Sequence, residues 1–330
     1  MKKRKKLKKS IRISLFIIII AIFSIITFII INKNLSSPNK DKEDNKQNTE
    51  ITPEPVKDES KYQECMKQPY QMETLDQEFN DLMDSYRGKN LGLYFTDINN
   101  GYSYNLNPDK GYYSGCVTKI FGTIYLLEKG RAGEIDLHKK LKYLPVDKRP
   151  FSDLMDKHSF YEEIPITTLI DYYMTVSDNT AFFIIIREFG ASSINKYMKE
   201  KYDITLHFTD NHPFESYYTA ELGNRSLQIL YEDLKVDDEY SALVKKAMDN
   251  DSENGLNFDD KRFLHKYGEY DIYHNDIGIY DSENPYLVTI LTHYAYDDYI
   301  GKISAINKSM YEIYQKNLNE KEKYCKSISE

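Results

Sequence analysis

Ser114-Gly115-Cys116-Val117-Thr118-Lys119 stands between a hairpin signal and a helical one. Upstream, residues 91–98 and 102–106 are short alternating runs joined by Asn99-Asn100-Gly101, and an Asn-Gly turn between such runs marks a β-hairpin. Downstream, Val117, Ile120, Phe121, Ile124 and Leu127 fall at helical spacing, and Gly130 offers a stop for that helix. Cys116 therefore opens a helix, where the dipole favours a thiolate. Lys119 lies three residues on, one turn away on the same face. A thiol beside an ammonium is a pattern for nucleophilic chemistry.

Two other segments extend the reading outward. Ser177-Asp178-Asn179 ends one helical run (165–176) and opens another (180–189). His265-Lys266-Tyr267-Gly268-Glu269 overlaps a strand-like run at 263–267, with further strand-like runs at 276–280 and 286–293. Met72, Leu75, Phe79, Leu82 and Met83 predict a helix over 71–86, and helical patterns at 192–201, 219–234 and 240–248 fill the middle. A long amphipathic segment, 298–324, follows the last strand. Strands near both ends with helices between them predict an α+β fold, a mainly antiparallel sheet assembled from both ends of the chain around a central helical lobe.

Charge and hydropathy divide the chain into four parts. Residues 1–12 are a basic tail with eight cations and no anion, and 13–31 are nineteen residues interrupted only by Ser14, Ser24 and Thr27. As a helix, 13–31 spans about 28 Å, a hydrocarbon thickness. It is longer than a signal-peptide core, and no small-residue cleavage pattern follows it. An uncleaved signal anchor is the expectation, with the basic tail in the cytoplasm and the rest on the extracytoplasmic side of a bacterial cell membrane. Residues 32–60 are polar, contain Pro38, Pro53 and Pro55, and read as a flexible tether. Residues 61–330 form the folded domain. The chain's formal charge is −8, so with +8 in the tail and −2 in 33–60 the domain carries −14. That balance excludes nucleic acid as a partner class.

The three segments, in this order, resemble the S-x-x-K, S-D-N and K-T-G set of class A β-lactamases and penicillin-binding proteins. The resemblance spans about 70–325 and implies that family's five-stranded sheet and helical lobe. It also implies roles: Cys116 in place of the acylated Ser, Lys119 as its proton partner, and Ser177 as a relay to the leaving group. Asn179 would hydrogen-bond a substrate amide, and Asp178 would brace its loop. Lys266 would hold a substrate carboxylate, Gly268 would let the ligand approach the strand, and the backbone N–H groups of Cys116 and Glu269 would form the oxyanion hole. Tyr267 departs from the family's Thr and narrows the cleft or shapes it for another ligand. Ser114 cannot replace Cys116, because its third residue on is Val117. The E-x-x-L-N segment that activates deacylating water has no match; Glu215 is the nearest substitute, and a solvated loop carboxylate is its ordinary reading.

The expected ligand is a β-lactam or a peptidoglycan-type D-alanyl peptide. The alternative is a catalytically degenerate relative serving as a cell-wall peptide or protein binding module. No cofactor or metal is expected: the seven His form no H-x-x-x-H pair, and the acidic run 249–255 lacks the calcium-loop register. Of the three Cys, Cys65 and Cys325 lie near the two terminal helices, which pack side by side in the family; the resemblance and the extracytoplasmic compartment together imply a Cys65–Cys325 disulfide, leaving Cys116 as the free thiol.

Overall fold

The structure, a computed structural model, describes residues 58–86, 90–214, 216–249, 255–293 and 301–330. The basic tail, the apolar run 13–31, most of the tether and Glu215 lie outside the described residues, as do 250–254 of the acidic run.

Helix α1 (Glu59–Lys67) was not expected from the sequence. It begins inside the stretch assigned to the tether, with Asp58 as N-cap accepting from the Lys61 N–H. It buries no residue of its own, so hydrophobic periodicity could not announce it. The chain's far end holds it instead, through the Cys65–Cys325 disulfide, with Cα atoms 5.6 Å apart, and an Asp58 N–H bond to the Ser329 carbonyl at 3.0 Å. The disulfide closes 260 residues, for which the chain-entropy model gives about 5 kcal/mol. Because α1 can fray alone, the expected loss on Cys65→Ser/Cys325→Ser is about half of that, a fall in melting temperature of roughly 5–10 °C. An unchanged melting temperature would show that the bridge constrains nothing.

Helix α2 (Met72–Asp84) buries Leu75, Phe79 and Met83 at four-residue spacing. Strands β1 (Leu91–Asp97) and β2 (Ser103–Leu106) form the expected hairpin, with Thr96 opposite Ser103. A two-residue strand β3 (Tyr112–Tyr113) and a 3₁₀ turn (Gly115–Thr118) lead into α3 (Lys119–Arg131). Gly130 is not the residue that ends α3. Gly133 is, at φ +70°, where the Glu134 N–H reaches back to the Lys129 carbonyl at 2.9 Å. Gly130 instead lies under Leu137, whose Cδ1 would sit 2.8 Å from an added Cβ.

Strands β4 (Lys140–Lys142) and β5 (Glu163–Pro165) pair ahead of α4 (Ile166–Thr175), α5 (Asn179–Phe189) and α6 (Ala191–Tyr202). Strand β6 (Tyr217–Tyr218) pairs with β3, and α7 (Ala220–Leu234) and α8 (Glu239–Met248) complete the helical middle. Strands β7 (Leu264–Tyr270), β8 (Tyr273–Tyr280) and β9 (Tyr286–His293) precede the last helix, α9 (Lys302–Ser329).

The sheet has five strands in the order β2-β1-β9-β8-β7, all antiparallel. Strand β1 from the beginning lies against β9 from the end, from Leu91 opposite Thr292 to Asp97 opposite Tyr286. Strand β9 is apolar on both faces: Tyr286, Val288 and Ile290 join α2 and α9 in one core, and Leu287 and Leu291 join α3, α5 and α7 in the other. Phe79, Phe95, Tyr286 and Tyr314 fill the first core with ring contacts at 4.9–5.6 Å. This two-sided burial fixes the register of the sheet, and with it the height of β7 against the 3₁₀ turn.

Candidate active site

The turn carrying Cys116 is pinned from three directions. Asn275 on β8 donates to the carbonyls of Tyr113 (2.8 Å) and Ser114 (3.2 Å). Thr118 Oγ1 donates to the carbonyls of Gly115 and Pro213, both at 3.1 Å. Ser114 is fully buried, its hydroxyl donating to the Phe214 carbonyl at 3.0 Å, so it is unavailable as a nucleophile.

Backbone meets backbone where β7 crosses this turn. A Cβ on Gly268 would lie 2.6 Å from the nitrogens of both Cys116 and Val117. Gly115, at φ +52°, would place a Cβ 2.8 Å from the Glu269 nitrogen. Two glycines therefore let the amides of residues 116 and 269 approach each other.

Ser177 links the segments. It adopts a left-handed backbone, φ +60°, stabilised where the Lys119 ammonium donates to its carbonyl at 2.6 Å. Asp178 braces the loop as expected, accepting from the N–H groups of Ala181 and Met155, each at 2.9 Å. The Ser177 hydroxyl accepts from Lys266 Nζ at 2.8 Å and from Lys119 Nζ at 3.3 Å. Lys119 also donates to Asn179 Oδ1 at 2.8 Å, an oxygen that lies 3.6 Å from the Cys116 sulfur. The structure thus brings Cys116, Lys119, Ser177, Asn179 and Lys266 together.

Two placements differ from the sequence reading. Lys266 is fully buried, bonded to Ser177 Oγ and to the Tyr267 carbonyl, and does not line the cleft where a substrate carboxylate would be met. The Tyr267 ring lies 4.2 Å from the Lys266 ammonium and screens it. Asn179 already donates its amide to the Pro150 carbonyl at 3.1 Å, so only part of its donor capacity is left for a ligand.

Burial raises the Cys116 thiol pKa, but the Lys119 and Lys266 ammoniums, with hydrogen bonds from Ser177 and Lys119, outweigh it and hold the thiol below its ordinary range. Burial lowers both lysines, Lys266 to about 7, while the Cys116 thiolate works the other way. Tyr267 is pushed up to about 12 by burial and by the thiolate. Sequence spacing missed Phe214, whose ring lies 4.9 Å from the Lys119 ammonium, with Phe182 at 5.9 Å. Nothing in residue patterns brings position 214 to position 119. The cleft above these groups has a volume of about 520 Å³ and is lined by Cys116, Ser177, Asn179, Tyr267 and residues of the 151–153 and 269–271 segments.

An antiparallel sheet with a helical lobe, and three segments meeting in one cleft, are the architecture of the β-lactamase and penicillin-binding acyl hydrolases. Residues 74–316 match the beta-lactamase enzyme family, and the chain belongs to that family. Solved structures agree on the fold. An acyl-enzyme complex of PBP-A with penicillin G is 18% identical, with TM-score 0.65, over 74% of this chain and 97% of that one. TLA-3 extended-spectrum beta-lactamase is 19% identical, with TM-score 0.64, over 74% and 99%. A beta-lactamase from Chitinophaga pinensis is 16% identical, with TM-score 0.65, over 73% and 99%.

Proposed function

We propose that this chain is a membrane-anchored, extracytoplasmic acyl hydrolase or transferase that takes β-lactam or D-alanyl peptide-type substrates through a thioester on Cys116. One observation carries the reading: a thiol held low by two buried ammoniums that share one hydroxyl, Ser177 Oγ. The anchor rests on the run 13–31 behind eight cations, and the Cys65–Cys325 bridge supports an oxidising compartment.

The chemistry follows from the hydrogen bonds. The Cys116 thiolate attacks the substrate carbonyl carbon, and the displaced electron pair settles on oxygen, met by the N–H groups of Cys116 and Glu269. Collapse breaks the C–N bond. The leaving nitrogen takes a proton from Ser177 Oγ, which is reprotonated by Lys266 or Lys119. Water or an acceptor amine then attacks the thioester and the thiolate leaves. For this second half no described residue matches the family's deacylating Glu, and the rings of Phe214 and Phe182 beside Lys119 offer an attacking water no acceptor. The acyl-enzyme is therefore long-lived. The same aromatic wall favours the second reading, a binding module that retains cell-wall peptides without turning them over.

Labelling with a fluorescent penicillin separates the two. Wild type and Cys116→Ser should become covalently fluorescent and Cys116→Ala should not, while chromogenic cephalosporin hydrolysis stays below about 10 per second, an ordinary enzyme turnover. Faster hydrolysis would reveal an additional base. Folded wild type and Cys116→Ser that both stay unlabelled would leave the binding module.

A further inference from the structure

The cleft carries a charge opposite to what a carboxylate-bearing ligand requires. Asp153, Glu269 and Asp271 line it, all exposed, and no Lys or Arg side chain lines it among the described residues. The two nearby ammoniums are buried behind it. The described side chains lining the cleft therefore present three carboxylates and no Lys or Arg, with the His274 ring 3.9 Å from Glu269 Oε1. Aromatic faces complete the lining: Phe151, 83% exposed, Tyr267 and Tyr270. Tyr270 continues into a tilted contact with Tyr113, ring centroids 5.2 Å apart, and Tyr113 stacks at 5.2 Å on the exposed Tyr217. Carboxylates interleaved with open aromatic faces are the surroundings that recognise an ammonium, by charge and by attraction to the ring quadrupole.

We infer that the cleft selects ligands bearing an ammonium group, such as an amine-containing peptide acyl donor, over ligands bearing a carboxylate near the reacting carbonyl. The inference rests on Cys116 as the reacting atom and narrows the substrate class of the same site. Asp153 and Asp271 are its specificity-determining residues. Asp271, at φ +54°, occupies a conformation that Asn also adopts, so its neutral isostere fits without strain.

The test reads charge at Cys116 without needing acylation. Full-length protein with the disulfide intact is treated with trimethylammonium-ethyl or sulfonatoethyl methanethiosulfonate. In both, the thiolate attacks the sulfenyl sulfur, a mixed disulfide forms and methanesulfinate leaves. Rates are divided by those of a small free thiol. The expected ratio of cationic to anionic reagent is about tenfold or more at low salt. It should fall as salt is added, and fall towards one in Asp153→Asn/Asp271→Asn, with Asp153→Asn alone part-way. A ratio at or below one, a ratio unmoved by the double variant, or a thiol closed to both reagents overturns the inference. Esters of 6-aminohexanoic, hexanoic and adipic acid with p-nitrophenol report separately on acylation. If none acylates Cys116 while the thiosulfonate ratio stays high, the acyl-enzyme reading fails and ammonium selection stands. If all three acylate it at equal rates, ammonium selection fails and the acyl-enzyme reading stands.

Discussion

Lys119→Met should slow acylation of Cys116 by about 10³-fold, within the range that one positioned acid–base group contributes. Two losses combine. The ammonium that donates to Ser177 Oγ disappears, so the relay depends on Lys266 alone. The thiol also loses the larger of the two cationic influences on it, while the upward push of burial remains. The sign is definite: the pH midpoint of Cys116 alkylation, below the ordinary thiol value in the wild type, must rise in the variant. At neutral pH the thiolate fraction falls accordingly. Removing Lys119 also strips donors from the Ser177 carbonyl and Asn179 Oδ1, so some stability is lost, at about 1–3 kcal/mol for each acceptor left buried without a donor. The acylation rate separates chemistry from packing, since a merely loosened site would also let the thiol titrate nearer its ordinary value but would not slow acylation with it. Alkylation with iodoacetamide from pH 5 to 10, with thermal unfolding as the fold check, is the measurement. A midpoint that stays in place would remove Lys119 from the proton path.

Gly268→Ala should abolish most acylation by a different route. The added Cβ would sit 2.6 Å from two backbone nitrogens and 2.8 Å from the Ser114 carbonyl oxygen, and none of these atoms can swing aside as a side-chain tip can. Strand β7 and the 3₁₀ turn must separate, and the amides of residues 116 and 269 then no longer address one oxygen. Losing one oxyanion donor costs about 10²–10³ in rate, and the forced overpacking costs about 1–3 kcal/mol of stability. Gly133→Ala is the control: its φ of +70° makes an alanine strained, but no atom lies within 4 Å of the added Cβ. It should lose stability and keep the acylation rate. Equal effects of the two substitutions on acylation would mean that the contact of β7 with the turn does not build the site.

These expectations rest partly on features readable in the sequence and partly on ones that are not. The hairpin was legible because Asn99-Asn100-Gly101 specifies a turn locally, and α3, α5 and α7 were legible because each presents a long apolar face. Helix α1 was not, since its stability comes from Cys325 and Ser329 at the other end of the chain. The pairs β3–β6 and β4–β5 escaped because strands of two or three residues carry no period. The stop of α3 falls at Gly133 rather than at the expected Gly130, because it is Gly133 that takes the left-handed backbone, φ +70°. In the site, the motif residues could be placed by resemblance, but their orientations could not. Lys266 points to Ser177 rather than into the cleft, with the Tyr267 ring 4.2 Å from its ammonium, an arrangement no spacing records. The acidic, aromatic lining arises from the 151–153 loop and from the end of β7 with the turn after it, 269–271, whose neighbourhood is equally unmarked in the sequence.

The acidic lining also bears on experimental conditions. Penicillins carry a carboxylate, so labelling should be slow and is best sought at millimolar concentration and low salt. The most direct measurement is the intact mass of the full-length, disulfide-bonded protein after such exposure to benzylpenicillin, followed by peptide mapping. The predicted result is one penicilloyl group per chain, on the peptide containing Cys116, persisting for many minutes after free drug is removed and absent from Cys116→Ala. A folded wild-type protein that stays unmodified, or an adduct that maps to any other peptide, would contradict Cys116 as the nucleophile.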